Sequence, residues 1–139
     1  MPENGAPTDD GGEGVAKRRM RIVSSLHAPF EARRFVRREA LELDAGTLDD
    51  LLLLVTELVS ANVVHDPAGV SVVEIDLRDD ACVRATVSGR GVVLPGELNV
   101  LLLDRLADAW GRVADGDGHG VWLELDRPGR RFRPSHRSG

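Results

Sequence analysis

The sequence predicts an α+β fold, a two-layer α/β sandwich in which a mixed, mostly antiparallel sheet is covered on one face by three helices. Three observations carry this reading. Residues 47–65 form an apolar stretch at helical spacing. Residues 70–77 and 82–89 alternate with a period of two around the short turn Arg78–Asp79–Asp80–Ala81, as a hairpin with one wet face does. The predicted order, strand, helix, helix, strand, strand, helix, strand, contains no repeat, and hairpins interleaved with helices place all the helices on one side of a sheet.

The chain has 139 residues, enough for one core, and is 42% hydrophobic with a net charge of −5. No apolar run approaches bilayer length and the first residues have no signal-peptide core, so a cytoplasmic, membrane-free protein is expected. The negative charge argues against bulk nucleic-acid affinity. The one cysteine, Cys82, cannot form an internal disulfide and is expected as a small buried hydrophobe in a strand. Lys17 is the only lysine, which leaves no lysine for chemistry in the folded part.

Residues 1–19 are expected to form a disordered tail, rich in Gly, Pro, Asp and Glu, and a basic knot, Lys17, Arg18, Arg19 and Arg21, marks its end. Residues 20–126 form the folded domain, and residues 127–139 a basic, proline-containing tail. Within the domain, residues 21–26 are predicted as a short edge strand. Pro29 then introduces a first helix with Ala32, Phe35, Val36, Ala40 and Leu43 on one face and Arg33, Arg34, Arg37 and Arg38 on the other. Thr47 with Asp50 reads as a capping-box-like start to the core helix. Leu51, Leu54, Val55, Leu58 and Val59 recur along it, and Leu52, Leu53, Ala61, Val63 and Val64 make other faces apolar too.

In a helix this apolar, Thr56, Glu57, Ser60 and Asn62 are the informative residues, because polar groups inside a core are paired or functional. Asp66, Pro67 and Gly69 end the helix. In the hairpin, Val73, Ile75, Leu77, Val83, Ala85 and Val87 are the inward positions. Residues 89–96 are predicted as a loop. Residues 97–111 are predicted as a third helix with Leu102, Leu103, Leu106, Ala107 and Trp110 inward, followed by a glycine-rich turn and a last strand through Val121, Leu123 and Leu125.

This order, with the stretches EARRFVRREALE, TELVSANVVHDPAG and LADAWGRV followed by GHGVWLEL, resembles the anti-sigma-factor serine kinases. They are a branch of the gyrase and histidine-kinase type ATPase superfamily with the Bergerat, or histidine-kinase-like ATPase, fold. The resemblance runs over roughly residues 21–126. It implies an ATP-dependent serine/threonine kinase that binds Mg²⁺, with a sigma factor or an anti-sigma-factor antagonist as protein partner in bacterial transcription regulation. A homodimer, or a heterodimer with an intact family member, is also implied.

Carried over residue by residue, the resemblance shows departures. Glu57 matches the acidic residue that activates the nucleophile or water. The Mg²⁺-holding asparagine belongs at position 61, which is Ala61; Asn62 follows it, rotated by about 100° around the helix. Alanine offers a hard cation no oxygen. A single-turn π insertion would return Asn62 to the metal position, whereas the plainer reading is a polar residue bonded to neighbouring backbone. Gly89 stands where an aspartate would accept the adenine amino hydrogen, with Gly91 following in the motif. Glu97, Leu98, Asn99 and Val100 occupy the glycine-rich lid, where Glu97 places a negative charge at a helix start otherwise suited to phosphate. Together these departures imply a degenerate nucleotide pocket, formed by Asn62, Gly89, Gly91 and Asn99, with weak or lost ATP binding. In an active enzyme Glu57 is the base and Asn62 the displaced metal ligand.

Other chemistries find less support. Asp115, Asp117 and Asp126 have a weak calcium-loop pattern, but a strand follows instead of a helix. The four histidines show no metal-ligand spacing, and no serine stands in a nucleophile-elbow context. Arg127, Arg130, Arg131, Arg133 and Arg137 in the C-terminal tail suit a solubilising role, or contact with phosphates in a nucleic-acid accessory protein, for which only Phe132 is available to stack.

Overall fold

The computed structural model describes residues 16–79, 82–89, 96–115 and 118–126. The expected tail up to residue 15, the tail from residue 127, Gly91 and Asp117 lie outside the described residues. The elements are β1 (Ala16–Val23), α1 (Ala28–Glu39), α2 (Ala45–His65), β2 (Val70–Asp79), β3 (Cys82–Gly89), α3 (Glu97–Leu106), β4 (Ala109–Asp115) and β5 (Gly118–Asp126). The strands form one sheet in the order β1-β2-β3-β5-β4, and each neighbouring pair is antiparallel. The predicted α+β sandwich is therefore the observed class, with an antiparallel sheet where a mixed one was expected.

The first strand begins at Ala16, five residues before the predicted start at Arg21, and includes the basic knot assigned to the tail. It pairs with β2 along its whole length, from Ala16 opposite Leu77 to Val23 opposite Val70. An edge strand needs backbone partners on one side only, so charged side chains are compatible with it, and composition alone reads them as tail. The chain leaves β1 at Ser24, whose N–H donates to the Gly69 carbonyl and whose Oγ donates to the Asp66 carbonyl at 2.8 Å. These bonds tie the β1–α1 turn to the end of α2.

Helix α1 begins with Pro29 in its first turn and buries Ala28, Ala32, Phe35 and Val36. It stops at Glu39, yet Ala40 and Leu43 stay in the core because the following turn keeps them against α2. Helix α2 starts at Ala45, with Asp44 in the cap position, and Thr47 is buried in its first turn. The predicted cap at Thr47 is thus corrected: the small residues Ala45 and Gly46 extend the helix upstream, and packing removes the Thr47 side chain from the cap role. Leu51, Leu54, Val55, Leu58 and Val59 are buried between the other helices and the sheet.

On the sheet, Val73 and Ile75 of β2, Val83, Ala85 and Val87 of β3, and Val121, Leu123 and Leu125 of β5 are buried beneath the helices. Cys82 lies in β3 but is only half-buried. The largest difference from expectation lies after α3. Residues 107–111, read as the end of that helix, leave it after Leu106, and Ala109–Asp115 forms β4. The reason is long-range: the Asp108 N–H donates to the Glu124 carbonyl and Trp110 pairs opposite Leu123, so β5 recruits a segment whose alanine and glycine favour no strand by themselves. No helix among the described residues is long and apolar enough to cross a membrane.

Candidate functional site

The polar residues of α2 meet different surroundings. Thr56 is satisfied inside the helix, its Oγ1 donating to the Leu52 carbonyl at 2.7 Å. Glu57, Ser60 and Ala61 are half-buried. Asn62 is fully buried and faces the sheet, where its Nδ2 donates to Ser71 Oγ at 2.6 Å. Ser71 is fully buried as well and pairs across the hairpin with Gly89.

Gly89 is where the helix and sheet come closest at this site. A Cβ on Gly89 would stand 2.7 Å from Asn62 Nδ2 and 3.2 Å from both Asn62 Oδ1 and the Val70 carbonyl oxygen. The Asn62 carboxamide therefore occupies the volume that any side chain at position 89 would enter. Glycine is required here by close approach, since its backbone lies in ordinary strand pairing. Asn62 Oδ1 has no hydrogen-bond partner among the described residues, although it is buried.

Helix α2 is α-helical from Ala45 to His65 with no π insertion, so Asn62 keeps its rotation away from position 61. Glu57 lies five residues earlier, roughly 140° away around the helix and about 7.5 Å along it. It belongs to a second contact. Asn99, buried in the first turn of α3, donates from Nδ2 to the Glu57 carbonyl at 3.4 Å and holds the start of α3 against α2. Glu97 and Leu98 in the same turn are exposed.

The structure thus brings the predicted residues together as two pairs, Asn62 with Gly89 and Glu57 with Asn99, and among the described residues no hydrogen bond joins them. Ser71 was missed by sequence reasoning. Its signal was available: it is the first inward position of β2, two before Val73, and a hydroxyl there needs a buried partner. Among the described residues no group of three or more His, Cys, Asp or Glu side chains is placed to hold a metal ion.

Comparison with protein-family models gave no match, and comparison with curated proteins gave none. Among solved structures the chain is similar to the crystal structure of the RsbU and RsbW domains of Rv1364c from Mycobacterium tuberculosis, with a TM-score of 0.67 and 21% identity. The match covers 80% of this chain and 32% of that one, so this chain spans less than a third of the length of the chain it matches. The likeness is one of fold, an α+β arrangement of a five-stranded antiparallel sheet and three helices.

Proposed function

We propose that this chain is a regulatory protein of the anti-sigma-factor type, which binds a sigma factor or an anti-sigma-factor antagonist and has weak or no affinity for ATP. The observation that carries the proposal is the packing of Asn62 on Gly89. The resemblance calls for an asparagine at position 61 of the helix and an aspartate at position 89 of the strand; here the asparagine stands one residue on, at Asn62, and position 89 has no side chain. An aspartate-like acceptor at position 89 is excluded by the volume that Asn62 fills. Ala61, at the metal position, brings no oxygen. The residues present do not fit ATP and Mg²⁺ as the family binds them. Binding a protein partner needs surface and not phosphoryl transfer, so it is compatible with this site.

The test is thermal unfolding with and without millimolar ATP plus Mg²⁺, because a ligand selective for the native state raises stability by RT ln(1 + [L]/Kd). The expected result is no shift, together with capture of a sigma factor or an antagonist by the tagged chain. Failure to capture either, or a member of the same fold family, would count against the proposal. The retained Glu57 favours a second reading, an active serine/threonine kinase. That reading requires a magnesium-dependent stabilisation and phosphate transfer to an antagonist domain that Glu57→Ala abolishes.

A further inference from the structure

β1 is an end of the sheet: it pairs with β2 on one side and with no described strand on the other. Such an edge presents alternate N–H and C=O groups to any further strand. Lys17, Arg19 and Arg21 are exposed along it. Their register opposite Asp76, Glu74 and Val72 places them on the sheet face away from the helices. The next residue type is also basic: Arg18 on the helix side reaches Glu39 of α1 at 3.1 Å, and Arg38 binds the same carboxylate at 3.2 Å. This link joins the β1 edge to the arginine face of α1, where Arg33, Arg34 and Arg37 are exposed. In a chain of net charge −5 this is a local concentration of cations. The opposite edge, β4, exposes Arg112 and Ala114 and has no comparable row.

Charge decides what can pair here. A second copy added antiparallel through the same edge would set Arg19 opposite its own counterpart, and Lys17 opposite Arg21, on one face. Directly opposed like charges are unfavourable, so the row blocks self-pairing. A strand with a carboxylate at every second position would instead meet each cation directly. A nucleic acid fits less well, because β1 has no aromatic side chain on which a base could stack.

We infer that the outer edge of β1 is a docking site for an extended acidic segment of a partner protein, which adds to the sheet as a further strand with its carboxylates over Lys17, Arg19 and Arg21. The backbone ladder supplies attachment and the alternating charge supplies selection. The inference rests on the reading of the chain as a partner-binding protein and names the surface and the chemistry of the partner.

The test titrates the full chain into a fluorescent peptide of alternating Glu and Thr, as long as β1, and follows anisotropy. The controls are the same peptide with proline in place of threonine, which keeps the charge, removes every second backbone donor and disfavours a strand, and a single-stranded oligonucleotide of equal charge. The Glu–Thr peptide is expected to bind, about tenfold or more tightly than either control, and to lose about tenfold or more with the R19E/R21E double variant. Circular dichroism checks the fold of the variant, with R19Q/R21Q read in its place if the double reversal unfolds. Absence of binding, equal binding of a control, or binding indifferent to both variants would overturn the inference. If R19E/R21E still captures a sigma factor or antagonist at full strength, the proposed function stands and the edge site falls. Peptide binding without such capture has the opposite meaning.

Discussion

Asn62 and Gly89 behave as one unit. In most strands a glycine-to-alanine change costs little, and by restricting the unfolded chain it often stabilises. At position 89 the added methyl would meet the Asn62 amide at 2.7 Å, so Gly89→Ala is expected to destabilise by roughly 1 to 3 kcal/mol, as overpacked cores do. In an Asn62→Ala background the nearest remaining obstacle is the Val70 carbonyl oxygen at 3.2 Å, and most of that cost should vanish. Urea denaturation of the two single variants and the double variant would give the coupling, expected at about 0.5 to 3 kcal/mol. Additive effects would mean that the two residues do not share the space described. Each residue was individually visible in the sequence, Asn62 as a polar break in an apolar helix and Gly89 as a missing carboxylate. Their contact was not, because it depends on how α2 rolls against the hairpin.

The elements differ in how much they depend on one another. Helix α2 is specified by its own apolar content, and Leu58, 1% exposed, lies on its buried face. Leu58→Ala is expected to cost about 2 to 5 kcal/mol, measured by chemical denaturation. Strand β4 depends on β5. The Trp122 ring covers Gly111, where a Cβ would stand 2.7 Å from Nε1, and the Arg84 guanidinium lies 4.4 Å from the ring centroid on the same strip. Gly111→Val should push the indole off β4, cost roughly 1 to 3 kcal/mol and shift the tryptophan emission, whereas an unchanged spectrum and stability would contradict the packing. Trp110, assigned by periodicity to the inner face of a helix, is a strand residue whose Nε1 donates to Asp104 Oδ1 at 2.9 Å. Helical spacing of apolar residues through Leu106 continued by chance into a segment that β5 captures.

For the whole molecule, the layer arrangement and the charge distribution matter most. Three helices on one side leave the other sheet face to polar and charged positions such as Glu74, Thr86 and Arg84, and Arg84 meets Glu124 across β3 and β5 at 3.5 Å. Both ions are about a third exposed, so Glu124→Gln is expected to change stability by less than about 1 kcal/mol. A larger loss in thermal unfolding would show that the outer face contributes more than its exposure suggests. The fold likeness at a TM-score of 0.67 with 21% identity shows that the architecture tolerates extensive sequence change.

The pattern of inward apolar positions is what the sequence by itself determined. Period-two alternation in β2, β3 and β5 and the apolar content of α2 are local properties, and they specified the sandwich, its helix side and most of its core. Tertiary structure alone decided three things: that the cations of residues 17–19 form an edge strand, that residues 109–115 leave a helix for β4, and that Asn62 comes to rest on Gly89. Each depends on a partner distant in the chain, through backbone pairing with β2 or β5 or through a contact between helix and sheet. Such partners override local propensity because a backbone ladder and the exclusion of volume act on whichever segment is brought beside them.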